Sequence, residues 1–213
     1  MSGYGPAILL IAGTYGLATV ATQRWTVSVL LFLQVGTVWY TLRASGARTA
    51  VRRCAGVVFA LALLAGLGNL VSSLGPLVGG TFVAATALYV VAPISVTGDL
   101  ARRRDAGRQM LFGALAAYLM LGMAFAFAYR CLAFFGAGRF FGPAGDGTLA
   151  DCLFFSFVTL TTTGYGNLVP AAIAGQTLAV LEGLLGQLFL VTVVAKIVSV
   201  WPLREPRARR PPP

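Results

Sequence analysis

The stretch Thr159-Leu160-Thr161-Thr162-Thr163-Gly164-Tyr165-Gly166-Asn167 sets three consecutive threonines before two glycines that flank a tyrosine. It contains no acid, thiol or imidazole, so its chemistry is that of neutral oxygens: backbone carbonyls and hydroxyls. Such oxygens replace the water around a bare cation when several of them, from successive residues, point to one side. An ordinary strand turns alternate carbonyls to opposite sides. Successive carbonyls on one side therefore need alternating right- and left-handed backbone, which glycine permits. Gly164 and Gly166 are spaced for that alternation. The Thr162 hydroxyl can add an oxygen at the inner end, and Tyr165 can brace the strand from behind.

A loop of this kind needs a scaffold that keeps it at membrane depth, where non-helical backbone is tolerated only when it is buried in protein or lines a cavity. The composition supplies one. Of 213 residues, 58% are apolar and 10% charged, against about 25% charged in soluble domains. Apolar runs, free of charge except for Glu182 and Lys196 in the last, extend from Trp25 to Leu42, Cys54 to Leu74, Thr81 to Thr97, Met110 to Tyr129 and Ile173 to Trp201, with a marginal one from Ala7 to Val20. A helix needs about 20 apolar residues to cross a bilayer, and about 17 at the least. The segment Leu149 to Thr163 is too broken by polar groups to span. The runs are apolar on every face, unlike the alternating strands of a membrane barrel, so a helical bundle is expected.

The sequence has no histidine and three cysteines. That excludes a His-ligated metal centre and a Ser-His-Asp or Cys-His triad, and neither an enzyme nor an organic cofactor is expected. The net charge of +10 matches a nucleic-acid binder in sign only, and no nucleic-acid partner is expected. The charge is a topology signal, because short cytoplasmic loops hold the excess of Arg and Lys. Arg43, Arg48, Arg52 and Arg53 follow the second run, Arg102, Arg103, Arg104 and Arg108 the fourth, and Arg204, Arg207, Arg209 and Arg210 the sixth. Arg24, Arg130 and Arg139 fall on the other side, and Lys196 can snorkel from the inner end of the last run.

Six spans place both termini in the cytoplasm of a cell-membrane protein. A cleaved signal peptide is the other reading of the first run, but no basic residue precedes it. The tail from Arg204 to Pro213, rich in Arg and Pro, suits anionic lipid headgroups. Cys131 and Cys152 both fall on the outer side, open to a disulfide or to service as small packing residues. Cys54 reads as structural.

Taken together, these features resemble the pore domain of potassium channels: outer helix, pore helix, Thr-x-Gly-Tyr-Gly filter and an inner helix with a glycine hinge. The resemblance covers about Gln109 to Val200 and rests on Phe154 and Phe155 in the pore helix, Pro170 after the filter and Gly186 in the inner helix. A Gly-Tyr-Gly-like triplet alone is weak, as Gly13-Thr14-Tyr15-Gly16 in the first run illustrates. The resemblance implies that the carbonyls of Thr162, Thr163, Gly164 and Tyr165 bind K+, that the Thr162 hydroxyl closes the innermost site and that Gly166 forms the outer mouth. It implies a hinge at Gly186 and a gate at Val194 and Val198.

One chain supplies one filter strand, so a fourfold homotetramer is implied. A single loop in 213 residues separates this chain from channel-like transporters with four loops in one polypeptide. The expected fold is all-α and integral to the membrane: six transmembrane helices, with a re-entrant pore helix and selectivity filter between the fifth and sixth. Residues 1–108 would form a four-helix domain of unknown role, 109–201 the pore domain and 202–213 a cytoplasmic tail, in a prokaryotic-type six-span subunit.

Against the commonest pattern of that family, Thr163 stands where valine is usual and Asn167 where aspartate is usual. Phe154 and Phe155 replace a tryptophan pair, and phenylalanine has no N–H to donate. Val158, on the filter side of the pore helix, offers no buried acid instead. The fourth run carries no arginine, whereas a voltage sensor needs charges that move through the field. Voltage gating by that helix is not expected. Glu182 is the one acid inside the pore-domain spans and needs a partner or a proton. If Gln187, Leu190, Val194 and Val198 face the cavity, at 100° per residue Glu182 lies about 125° away, toward the pore helix or a neighbouring helix. It is open to two roles, a packing acid or a protonation-sensitive gate.

The same architecture with poor selectivity would be a general cation channel. A non-conducting membrane interaction protein is the remaining alternative.

Overall fold

The computed structural model describes residues 5–20, 75–102 and 108–200, with the separate positions 36, 37, 40, 56 and 60. Apart from those positions, the runs Trp25 to Leu42 and Cys54 to Leu74 lie outside the described residues. So do Arg24, Arg43, Arg48, Arg52, Arg53, Arg103, Arg104 and the tail with Arg204, Arg207, Arg209 and Arg210. Five α-helices are described in full: α1 Gly5–Val20, α2 Gly75–Arg102, α3 Arg108–Phe135, α4 Leu149–Leu160 and α5 Ile173–Val200. A single 3-10 turn, Gly142–Ala144, lies between α3 and α4.

Among the described residues, three stretches are long and apolar enough to cross a membrane: Phe82–Leu100 in α2, Gln109–Phe135 in α3 and Ile173–Ser199 in α5. The latter two have 27 residues each. At 1.5 Å per residue that is about 40 Å, more than a bilayer core of about 30 Å, so they would tilt or extend into the headgroup region. Helix α1, with 16 residues, and α4, with 12, are shorter. The chance triplet Gly13-Thr14-Tyr15-Gly16 is inside α1, where Thr14 Oγ1 donates back to the Leu10 carbonyl at 2.7 Å. It is helix, not loop. Helix α2 runs through Pro93, an interruption that membrane helices tolerate when neighbours satisfy the freed carbonyl.

Helix α3 is the hub, in contact with α1, α2, α4 and α5. Its alanines and methionines make close approach possible. Met120, Met123, Ala124 and Phe127 pack with Ile11 of α1, Phe82, Ala85 and Tyr89 of α2 and Leu153 of α4 in one apolar core. Tyr89 lies face to face with Phe127, ring centroids 5.7 Å apart. A second cluster lies beside the 3-10 turn: Phe125, Tyr129, Phe140, Phe141, Cys152 and Phe155. A third, at the opposite end of α3, joins Val96 and Leu100 of α2 to Met110, Ala114 and Ala117 of α3, with Phe189, Val193 and Ile197 of α5 packed against it.

Cys131 and Cys152 are free thiols. Cys152 is fully buried among the aromatic rings, and Cys131 Sγ sits 3.7 Å from Thr86 Oγ1. Both act as packing residues, and no bridge joins them.

Candidate functional site

Helix α4 exists because its first turn is capped from both directions. Thr148 Oγ1 accepts from the Asp151 N–H at 3.2 Å, while Asp151 Oδ2 accepts from the Thr148 N–H at 2.7 Å. This reciprocal box satisfies donors that a helix start leaves unpaired, and it places a carboxylate at the positive end of the helix dipole. The opposite, negative end runs directly into the loop that carries Thr161 to Asn167. A helix C-terminus there favours a nearby cation for the same reason.

The loop leaves the helix under tight backbone control. Thr162 N–H donates to Thr159 O at 2.9 Å and Thr163 N–H to Val158 O at 2.8 Å, with Gly164 N–H reaching the same Val158 oxygen at 3.4 Å. The Thr161 and Thr163 hydroxyls meet at 2.9 Å, and Gln187 Nε2 of α5 donates to Thr162 Oγ1 at 3.3 Å.

Positive φ occurs at alternate residues: Thr162 at +56°, Gly164 at +58° and Gly166 at +78°. The two glycines adopt it without steric cost. Thr162 is the one described non-glycine residue that does so, and a β-branched residue there is strained. The sequence pointed to left-handed backbone at the glycines and missed it at Thr162, because propensity alone argues against it. The alternation is the backbone form that turns successive carbonyls to one side. Thr162, Thr163, Gly164, Tyr165 and Gly166 are all exposed within the chain.

Behind the loop stand aromatic rings. Phe154 lies parallel to Tyr165, with centroids 6.0 Å apart and an interplanar angle of 6°. Phe155 faces the other way, edge-on to Tyr129 at 4.9 Å and to Phe141 at 5.5 Å. The two phenylalanines thus serve different layers. Val158 is half-buried and acts through its carbonyl, while the Asn167 side chain is exposed and has no hydrogen-bond partner among the described residues. Beyond it the chain is tied down again: Ala171 N–H donates to Phe140 O at 2.8 Å and Gln176 Nε2 to Pro170 O at 3.0 Å.

Helix α5 passes behind α4 at close range. A Cβ on Gly186 would lie 2.6 Å from Leu160 O and 2.8 Å from Leu160 Cδ1, so only glycine fits. The helix is unbroken through this position. The Leu160 carbonyl also accepts from the Tyr118 hydroxyl of α3 at 3.1 Å. Val194 and Val198 are exposed within the chain, at 57% and 68%.

Glu182 is fully buried and points toward α4 and α3, the direction given by its angular offset from Gln187 and Val194. Its Oε2 accepts from the Tyr129 hydroxyl at 2.6 Å, and its Oε1 is in hydrogen-bond contact with Ser156 Oγ. Ser156 Oγ also reaches the Gly122 carbonyl at 2.7 Å. Neither Ser156 nor Tyr129 stood out in the sequence. They lie 26 and 53 residues from Glu182, and only the fold brings them together. No group of His, Cys, Asp or Glu suited to a metal ion occurs among the described residues.

Residues 114–201 match the family model described as "Ion channel". That match takes in α3 from Ala114 onward, the whole of α4 and its loop, and α5. The inward rectifier potassium channel Kirbac3.1 of Paramagnetospirillum magnetotacticum is 36% identical over 82 residues, or 38% of this chain. The aligned part is 26% of that protein, so this chain spans only a fraction of its relative's length. The family match falls on the part of the molecule that holds the alternating backbone.

Proposed function

We propose that the chain is one subunit of a fourfold homotetrameric, potassium-selective channel that conducts passively across the cell membrane. The observation that carries this reading is left-handed backbone at Thr162, Gly164 and Gly166, alternating along an exposed loop at the C-terminal end of α4. Four such loops around an axis supply rings of oxygens from Thr162, Thr163, Gly164 and Tyr165 in place of a hydration shell. The ion-channel match over residues 114–201 and the potassium-channel relative support it.

The exposed apolar face of α5 supports assembly. Val180, Leu184, Leu188 and Val191 are each more than half exposed in the isolated chain, and lipid or a neighbouring subunit covers them in the membrane. In this proposal the chain crosses six times with both termini cytoplasmic, Val194 and Val198 close the inner mouth, and the absent Cβ of Gly186 allows α5 to bend. The first four spans are no voltage sensor, since Thr81 to Thr97 contains no charged residue.

The test is flux from liposomes containing the purified full chain. Potassium is expected to pass far faster than sodium. Comparable rates for both ions favour a weakly selective cation channel, and no flux of either at any voltage favours a non-conducting interaction protein.

A further inference from the structure

The contacts around Glu182 can be counted in hydrogens. Three oxygen–oxygen contacts form a chain: Tyr129 hydroxyl to Glu182 Oε2, Glu182 Oε1 to Ser156 Oγ, and Ser156 Oγ to the Gly122 carbonyl. Each needs one hydrogen between its oxygens, because two lone pairs at that range repel. Tyr129 and Ser156 bring one hydrogen each, and the Gly122 carbonyl brings none. An ionised Glu182 leaves two hydrogens for three contacts. A protonated Glu182 supplies the third: Tyr129 donates to Oε2, Oε1–H donates to Ser156, and Ser156 donates to Gly122.

We propose that Glu182 is a neutral carboxylic acid whose proton latches the inner helix α5 to the pore helix α4, and through Ser156 to α3. This rests on the channel reading only for its effect on flux. The titratable groups facing Glu182 are few. From α3 come Tyr129, which bonds to it, and Tyr118, whose hydroxyl is engaged with Leu160 O. From α4, Cys152 lies beside Tyr129 in the buried aromatic cluster. On α5 itself the other ionisable side chain is Lys196, nearly four turns away. No Lys or Arg pairs with Glu182 among the described residues, so nothing there compensates a buried carboxylate.

When alkali removes the proton, the Glu182 O–H bond breaks and hydroxide becomes water. Ser156 is then left with one hydrogen for two acceptors, and one contact of the latch opens.

The experiment uses the full chain in an ester-free detergent, with the infrared carbonyl stretch of a protonated carboxylic acid and the thermal unfolding temperature followed against pH. At neutral pH the wild type is expected to show the band, Glu182→Gln to lack it, and Tyr129→Phe to move it to higher frequency by removing the bond to the C=O. As pH rises, the wild type should lose the band and unfold at lower temperature together. Glu182→Gln, whose amide donates one hydrogen to Ser156 and accepts from Tyr129, should keep its unfolding temperature. Identical spectra for wild type and Glu182→Gln at neutral pH overturn the proposal, as does an equal alkaline loss of stability in both.

Potassium flux in liposomes separates the two readings. A fall of about tenfold, the scale of one buried hydrogen bond, is expected in the wild type as the band fades, but not in Glu182→Gln. Absence of flux at every pH removes the channel reading, while the band and the unfolding temperatures still decide the latch.

Discussion

The two ends of the loop between α4 and α5 are held by different forces. At the inner end, Thr162, Thr163 and Gly164 hang from the last turn of α4 by three backbone bonds, and Gln187 adds a fourth contact from α5. At the outer end, Tyr165, Gly166 and Asn167 have no hydrogen bond to the rest of the chain among the described residues. Their support is the parallel stack of Tyr165 on Phe154. A net hydrogen bond contributes about 0.5–1.5 kcal/mol and an aromatic pair about as much, so the inner end has several such terms where the outer end has one. The inner end is therefore fixed by the chain itself. In the proposed tetramer the outer end would depend on what lies beyond the chain, neighbouring copies or bound ions.

The largest effect is expected at the inner end. Gly164→Ala puts a Cβ where φ is +58°, at a cost of about 1–2 kcal/mol per copy, paid in all four strands of the proposed ring. Potassium flux is expected to fall to background with the helical circular dichroism unchanged. Gly142→Ala is the control, since Gly142 has a matching φ of +57° and a Cβ there meets nothing closer than Ala171 Cβ at 3.7 Å, but it lies in the turn before α4. It should conduct. Wild-type flux from Gly164→Ala would show that the alternating backbone is not the ion path.

The next effect is on the clamp behind the inner end. Gly186→Ala drives a methyl against the Leu160 carbonyl, and overpacking of this kind costs about 1–3 kcal/mol. A lower unfolding temperature and a reduced flux are expected. Gly183→Ala, whose Cβ would meet nothing closer than Thr159 O at 3.9 Å, should be neutral or stabilise through better helix propensity. Equal behaviour of the two variants would remove close packing as the reason for glycine at 186.

How far the sequence revealed this arrangement follows the same division. The long spans were legible because composition alone specifies them, although α2 extends from Gly75 to Arg102, beyond the charge-free run Thr81 to Thr97. A helix continues into polar flanks as long as its backbone bonds are made. The capping box Thr148-x-x-Asp151 is a local pattern, yet it went unread, because the segment stood out only for polar groups that keep it from spanning. Phe154 and Phe155 were recognisable by position, but not that one ring serves the loop and the other the aromatic cluster with Tyr129. The direction of Glu182 followed from helical geometry, because an angle needs only one helix. Its partners needed three helices, and no local pattern encodes them. Thr162 resisted for another reason: a bond from Gln187 of α5, together with its own N–H donating to Thr159 O, holds it in a conformation its own preference opposes.

The smallest and most specific effect concerns the outer end. The potassium-channel resemblance pairs a donor tryptophan with an acceptor aspartate where Phe154 and Asn167 stand, so both halves of that bond are altered here. Phe154 already lies parallel to Tyr165, and a tryptophan in its place can keep the stack while adding an indole N–H. With Asn167→Asp the acceptor becomes charged, and hydrogen bonds to charged groups contribute about 1.5–3 kcal/mol.

If bound potassium now holds the outer end, current should decline when external potassium is low. The double substitution Phe154→Trp with Asn167→Asp should slow that decline by more than the two single changes combined. The measure is the decay rate of potassium current in bilayers containing the four proteins of the cycle, with the coupling taken as the departure from additivity. Phe154→Trp alone tests the stack, since it adds a donor facing only a neutral amide. Asn167→Asp alone adds charge with no donor. A steady wild-type current at low external potassium, or strict additivity, would mean that the Tyr165 stack and the anchors at Ala171 and Gln176 hold the outer end unaided. The contrast between the two ends would then be one of bonding pattern, not of stability.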